Sequence, residues 1–271
     1  MSCIINNKYK IIDKIGEGTF GKIFKSLNIN NNKELAIKIQ YKGIINALKH
    51  EAKIYRYFND CSFIPQIYNY GTEQGFHYIV IDLLKTSLYD ISLNNKQIIS
   101  YLYDSINIIE FIHNKGLIHR DIKPENFLIN EKNELFIIDF GLTSFYIEKN
   151  KHIEEKKINK LIGTPNYCSL NIHNGILPSR RDDIESICYS FMYNLKKNLP
   201  WQDLNNIQDS SINKIEFFNE INKLKKTSLE FYLSMPGELI TILYYARNLS
   251  FRDKPNYKYI KNIINNLLVI Y

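Results

Sequence analysis

The 271-residue sequence predicts an α+β chain, with antiparallel strands gathered in its first 84 residues and helices in the remainder. Two patterns carry this. Up to Leu84, β-favouring runs are punctuated by glycine and asparagine turns; beyond it, apolar residues recur at helical spacing. A hydrophobic content of 45% with 13% aromatic residues excludes a disordered chain and is ample for a buried core.

Taken in order, residues 9–15, 22–27 and 34–39 read as antiparallel strands. A glycine turn at 16–21 and an Asn-rich turn at 28–32 join them. Ile45, Leu48, Ala52, Tyr55 and Phe58 then mark one face of a helix that also contains Glu51. Residues 65–84 return to turns and β-rich runs, ending in Tyr78-Ile79-Val80-Ile81-Asp82-Leu83-Leu84. Ile98, Leu102, Ile106, Ile109 and Ile112 form a second helix face, stopped by Asn114-Lys115-Gly116. The Lys- and Glu-rich residues 141–163 read as a mobile, exposed segment. Thr143, Ser144 and Tyr146 lie near its start, and no mid-segment phosphorylation site stands out.

The formal charge of +7 suggests anionic partners, but the lysines are scattered among acidic residues, as on a solvated basic surface. No helix-turn-helix, zinc or RNP signature accompanies them, so specific nucleic-acid binding is not expected. Cys3, Cys61, Cys168 and Cys188 form neither CxxC pairs nor a compact framework. Thiols in a reducing compartment, cytosol or nucleus, are the expectation. No secretory leader opens the chain and no run reaches the ~18 apolar residues of a membrane span, so a soluble protein without a membrane partner is expected.

The densest chemistry is His119-Arg120-Asp121-Ile122-Lys123-Pro124-Glu125-Asn126, followed by Asp139-Phe140-Gly141. In residue type, order and spacing these resemble the catalytic loop and metal-binding motif of protein kinases. The resemblance implies phosphoryl transfer from ATP with Mg²⁺, in which the protein positions the nucleophile and neutralises charge on the triphosphate. Asp121 would be the base beside the substrate hydroxyl, and Lys123 would reach the transferred phosphate. Asn126 and Asp139 would offer oxygens to the metal. The plain alternative is that Asp121 and Asn126, flanking Pro124, only make a turn and its side-chain bonds.

Gly16-Glu17-Gly18-Thr19-Phe20-Gly21 is by itself a weak signal, because dinucleotide-binding folds use the same spacing. Here Ile23 and Phe24 follow and continue a strand instead of opening a helix. That suits a glycine lid in which Gly16, Gly18 and Gly21 let the backbone approach ATP phosphates. Ala36-Ile37-Lys38 resembles the kinase strand whose lysine holds the α- and β-phosphates, and Glu51 would pair with Lys38. The backbone from Asp82 to Leu84 would bond adenine, with Ile81 at the back of the pocket. Ile15, Ile23, Ala36, Leu128 and Ile138 would be its apolar walls.

A later stretch narrows the resemblance. Gly163-Thr164-Pro165-Asn166-Tyr167-Cys168-Ser169-Leu170-Asn171, His173, Gly175 and Ser179-Arg180-Arg181-Asp182-Asp183-Ile184-Glu185-Ser186 are similar to the casein kinase one family, as are Leu199-Pro200-Trp201-Gln202 and Phe251-Arg252-Asp253-Lys254-Pro255-Asn256-Tyr257. The related vaccinia-related kinases are the runner-up, and Phe140 and Asp182 favour casein kinase one. Departures from the family are Lys85 and Cys188 where glycines are usual, and Pro165-Asn166 in place of Ala-Arg.

The resemblance covers residues 9–268. It implies a two-lobe kinase domain, a small ATP-binding lobe at 9–84 and a large catalytic lobe at 85–268, with ATP in the cleft, no separate regulatory domain and a monomeric state. It further implies a serine/threonine kinase acting on acidic or phosphate-primed protein substrates through an anion pocket. Arg180 matches the pocket's arginine, and alignment from Ile221 selects Lys225 for its lysine, with Lys226 as an alternative. The plain reading is that these lysines coat a helix end. The competing class is a kinase-shaped binding module, which usually lacks one of the lysine or aspartate positions present here.

Overall fold

Alternating side-chain direction along a strand decides which residues of the N-terminal segment face the core and which stay available for chemistry. The computed structural model of the protein describes residues 3–18, 21–43, 46–58, 61–73, 75–202, 204 and 214–271. Thr19 and Phe20 of the glycine turn, and Ile45 of the expected helix face, lie outside them. The chain divides into two compact units, Met1–Thr86 with Leu128–Gly141, and Ser87–Phe127 with Leu142–Tyr271.

The first unit is built on a six-stranded antiparallel sheet. Its strands are β1 (Ile4–Ile5), β2 (Tyr9–Gly18), β3 (Gly21–Asn28), β4 (Lys33–Tyr41), β5 (Ile67–Glu73) and β6 (Phe76–Asp82). Their order is β1-β2-β3-β4-β6-β5. One face buries Ile5, Tyr9, Leu35, Ile37, Tyr78 and Val80 as a cluster. Leu35 and Ile37 point into it, so Ala36 and Lys38 must point to the opposite face. Helix α1 (Ala47–Tyr57) buries Leu48, Glu51, Ala52 and Tyr55, and Asn46 caps it by accepting a hydrogen bond from the Lys49 amide at 2.9 Å.

The second unit is mainly helical. It holds α2 (Asn95–Asn114), α3 (Leu170–His173), α4 (Arg180–Lys196), α5 (Lys214–Thr227), α6 (Leu229–Leu233), α7 (Gly237–Asn248) and α8 (Tyr257–Ile270). A capping box between Asn94 and Gln97 starts α2. Helix α4 is buried on all sides, with α2 and α7 packed on it, and Cys188 is fully enclosed there. Together the sheet-based unit and the helical unit realise the α+β architecture that the sequence predicts. Among the described residues no helix is long and apolar enough to cross a membrane.

The segment expected to be mobile between Gly141 and Gly163 is anchored in its first half. Ser144–Phe145 pairs antiparallel with Leu117–Ile118, and Ile147–Glu148 pairs with Lys151–His152. Tyr146 is buried and donates its hydroxyl hydrogen to the His113 carbonyl at 2.7 Å. The Lys/Glu composition described the rim of this segment correctly but gave no weight to one aromatic side chain able to tie it down.

Gly21 sits at the β2–β3 turn with φ of +147°, and a Cβ there would lie 2.1 Å from the Ile39 carbonyl oxygen. Gly18 has open space around its Cα. Gly21→Ala should therefore cost about 1–3 kcal/mol in urea denaturation, the scale of overpacking in a rigid setting, while Gly18→Ala should cost far less. Equal losses would contradict this account of the turn.

Candidate active site

In the first unit, the sheet register gathers the residues expected around a nucleotide. Ile23 lies opposite Lys38, and Ala36 lies opposite Ile81. Directly opposed residues share a face, so Ile23, Ala36, Lys38 and Ile81 all stand on the face away from the Leu35/Ile37 cluster. Gly16 pairs with Ile23, which places the glycine turn at the end of the same row. Ala36 is buried; Ile23, Ile81, Leu84, Leu128 and Ile138 are partly buried, and Ile15 is half exposed.

At Asp82 the bonding is more restricted than the sequence suggested. Its amide donates to the Gln66 carbonyl at 3.2 Å. Its carboxylate accepts from Tyr68, Lys33 and the Gln66 amide at 2.7, 3.0 and 2.8 Å. The Asp82 amide and carboxylate are thus both engaged within the first unit. The neighbouring Lys85 amide donates to the Ile129 carbonyl at 2.8 Å.

Lys38 is almost fully buried between two carboxylates. Its Nζ is 2.9 Å from Glu51 Oε2 and 3.0 Å from Asp139 Oδ1. Burial works against the ammonium, but Glu51 and Asp139 outweigh it and hold the Lys38 pKa above the usual range. For Glu51, burial outweighs the attraction of Lys38 and pushes the carboxyl up to about 7. The lysine is thus fixed as a cation with its reach defined by two anchors. Asp139 adopts a left-handed φ of +64°, and its amide lies 3.4 Å from the Tyr55 hydroxyl. Phe140 packs edge-on against Tyr55, ring centroids 4.9 Å apart.

The second unit carries the other cluster. Asp121 Oδ1 accepts a hydrogen bond from the Thr164 hydroxyl at 2.7 Å. Lys123 Nζ lies 3.2 Å from Asp121 Oδ2 and donates to Thr164 Oγ1 at 3.3 Å. Asn126 Nδ2 donates to the Asp121 carbonyl at 2.8 Å, which fixes the amide so that Oδ1 is its remaining donor atom toward a cation. Gly163 makes the approach of Thr164 possible: with φ of +93°, a Cβ there would lie 2.5 Å from the Arg120 carbonyl oxygen.

A buried carboxylate supports this loop from below. Asp183 Oδ2 accepts from the His119 amide at 2.7 Å and lies 2.9 Å from His113 Nε2, while Oδ1 accepts from the Arg120 amide at 2.9 Å. Burial alone would raise the Asp183 pKa, but the bonds from His113 and the backbone outweigh it and hold it below the ordinary value. Arg120 is left-handed, with φ of +71°, a conformation that costs energy for a residue with a Cβ and persists only where surrounding bonds enforce it.

The expected anion pocket is not formed by Arg180 and Lys225. Arg180 is buried, donating to the Tyr146 hydroxyl at 3.2 Å and the Arg252 carbonyl at 2.7 Å, with its guanidinium 4.5 Å from the centre of the Tyr146 ring. Lys225 is fully enclosed and donates to the Pro165 and Cys168 carbonyls at 2.8 and 2.6 Å. Both cations are committed to internal oxygens, so neither is presented to a substrate phosphate. The register of α5 explains the error. Ile221 and Lys225 are four residues apart, and with Ile221 fully buried the same helix face carries Lys225 inward.

An anchored lysine on a glycine-edged sheet, and a carboxylate flanked by a lysine and an amide, are the two chemical halves of a nucleotide-dependent phosphotransferase. The chain belongs to the protein kinase family: the family model described as protein kinase domain matches residues 9–268. It is accordingly a protein kinase, a phosphotransferase acting on protein substrates, and its family implies the use of ATP and a divalent metal. Sequence reasoning had missed Thr164 as the partner of Asp121, Asp183 and His113 beneath the loop, and Tyr55 beside Asp139. Asp183 and Thr164 stand within recognised motifs and Tyr55 on a recognised helix face, but none of these patterns names the partner each meets in the fold.

Lys38→Met leaves Glu51 buried without its cation, so its folded-state pKa should rise beyond the present value of about 7. A carboxyl with a raised pKa contributes stability that is full below its unfolded value and is lost as pH rises through the folded one. Wild type stops losing this stability near pH 7 while the variant goes on losing it, so the deficit of Lys38→Met relative to wild type should grow by about 1 kcal/mol between pH 5 and pH 8 in urea titrations, nearly all of it above pH 7. A deficit independent of pH would contradict the buried pairing.

Proposed function

We propose that the protein is a serine/threonine kinase of the casein kinase one type, using Mg-ATP and preferring acidic or phosphate-primed protein substrates. The observation that carries this reading is the triangle of Asp121, Lys123 and Thr164. An aliphatic hydroxyl already donates to Asp121 at 2.7 Å, and an ammonium lies within 3.3 Å of that hydroxyl. A serine or threonine of a substrate brings the same kind of group to the same carboxylate, which can accept its proton as the oxygen attacks. Lys123 is the cation that can follow the charge onto the transferred phosphoryl group.

The residues present suit magnesium-ATP. In the first unit Lys38 is held as a cation for the phosphates, and Gly21 occupies a backbone site that admits no Cβ. Asp139 offers a carboxylate there, and in the second unit Asn126 offers its amide oxygen. Hard oxygens are what Mg²⁺ takes, and it uses few from protein. When bound, the metal would supply positive charge that the phosphates need in the transition state.

With Arg180 and Lys225 turned inward, support for anionic substrates comes from elsewhere. A cleft of about 540 Å³ in the second unit is lined by Arg120, Lys149, Lys151 and Lys156, with Glu148 and Glu154 beside them. Its cationic excess agrees with the net charge of +7.

Assayed with Mg-ATP and peptides carrying a single Ser, Thr or Tyr, the protein should phosphorylate Ser and Thr peptides, favouring those with acidic or phosphorylated residues upstream. Asp121→Asn should lower kcat by roughly 10²–10⁴-fold, the scale of general-base catalysis. Phosphotyrosine as the main product, or turnover unaffected by Asp121→Asn, would overturn the reading. No turnover by wild type on any acceptor would favour a kinase-shaped binding module.

A further inference from the structure

The lysine expected to read phosphate has another position in the fold. Lys225 lies on α5 with its side chain fully enclosed, its ammonium 4.7 Å from the centre of the Tyr189 ring and 5.6 Å from that of Trp201. Placing a cation in so dry a site is costly, and an apolar side chain of similar volume would usually cost less. What the ammonium gains is two carbonyl oxygens of one loop, those of Pro165 and Cys168, with the His173 ring nitrogen Nε2 3.2 Å away. The indole of Trp201 takes the carbonyl between them, Asn166, at 2.8 Å. The Thr164 carbonyl accepts from the amides of Tyr167 and Cys168 at 3.0 and 2.9 Å. Carbonyls from 164 to 166 and that of 168 are thus all fixed, and the residue that opens this loop, Thr164, touches Asp121.

We propose that Lys225 is a positioning residue for the substrate peptide: by clamping residues 165–168 it holds the loop against which a peptide must lie when it presents its hydroxyl to Asp121. The inference rests on the kinase reading above. It assigns Lys225 no contact with phosphate or substrate, and predicts effects on the peptide without effects on the nucleotide.

The surroundings give the clamp its own pH signature. Burial first, and then the nearby Arg247, lower the Lys225 pKa to about 8, against the attraction of Cys168 and Glu185. His173, Cys168, Tyr232, Tyr189 and Arg247, which face it, keep their charge between pH 7 and 10. Burial and then Lys225 lower His173 to about 3, so it is neutral. Burial raises the Cys168 thiol and the Tyr232 hydroxyl to about 12 and Tyr189 well above its usual value. Arg247, which donates to the Lys225 carbonyl at 3.0 Å, has its pKa raised and stays a cation. Glu185 and Lys226 complete the set of charges in range. Loss of the Lys225 proton converts two charge-assisted bonds into weaker neutral ones.

The test compares wild type, Lys225→Met and Lys225→Gln with a serine peptide, each assayed well below its own melting temperature. For Lys225→Met, KM for peptide should rise roughly ten- to hundredfold, the scale of lost charge-assisted hydrogen bonds, with KM for ATP unchanged; Lys225→Gln, which keeps an amide donor, should fall between. In wild type alone, KM for peptide should rise from pH 7 to pH 9.5 while KM for ATP stays flat, a measurement that needs no variant to fold. An unchanged peptide KM in both variants, or a flat pH profile in wild type if neither variant folds, overturns the proposal. Parallel changes in both KM values would also overturn it, as the mark of a general structural role. Absence of peptide phosphorylation by wild type would instead remove the kinase reading itself.

Discussion

The buried carboxylate of Asp183 is the constraint on which the catalytic loop depends. Two consecutive amides, His119 and Arg120, converge on it, and Arg120 must take a left-handed backbone to let them do so. Such a backbone has no reason to persist in a free chain. Asp183 pins it from within α4, the helix enclosed on every side, and His113 from α2 supplies a further bond that keeps the carboxylate paired. Once the backbone at 119–120 is fixed, Asp121 is directed at Thr164, and Asn126 can tie back to the Asp121 carbonyl.

The two units position their functional groups by different physics. In the first, register and pleat do the work: the strand that buries Leu35 and Ile37 necessarily turns Ala36 and Lys38 the other way. A helical glutamate and Asp139 then hold the lysine as a cation in a site that would otherwise neutralise it. In the second unit a polar network replaces the sheet. Its members are buried and individually expensive, so each must be satisfied by another: His113 by Tyr257 and Asp183, the Tyr146 hydroxyl by the His113 carbonyl and Arg180, Lys225 by the loop carbonyls. Arg180 and Lys225 are placed by this demand for internal partners.

This difference explains what was legible in the sequence. Strand alternation, the glycine turn and the helical recurrence of Leu48, Ala52 and Tyr55 follow local rules, so the strands and helix of the first unit could be read directly, whereas the pairing of Glu51 with Lys38 followed only from the resemblance to kinases. Asp121, Lys123 and Asn126 were legible because their spacing lies within one short loop. Thr164 lies 43 residues from its partner Asp121, and no periodicity links them. Lys225 was assigned to an anion pocket by alignment from Ile221; the fold instead encloses it on the same helix face as the buried Ile221, where its partners are carbonyls some 60 residues away in sequence. Tyr146 likewise anchors a segment whose composition suggested exposure.

Through its bonds to the His119 and Arg120 amides, the Asp183 carboxylate sets the geometry of the loop bearing Asp121. The direct test is kcat for phosphate transfer to a serine peptide by Asp183→Asn, with folding checked by far-UV circular dichroism and nucleotide affinity measured separately. An asparagine keeps the volume but turns one acceptor oxygen into a donor facing an amide. Asp183→Asn should give a folded protein that binds nucleotide with wild-type affinity and loses at least about tenfold in kcat, the equivalent of roughly 1.4 kcal/mol. A folded variant with wild-type kcat would contradict it.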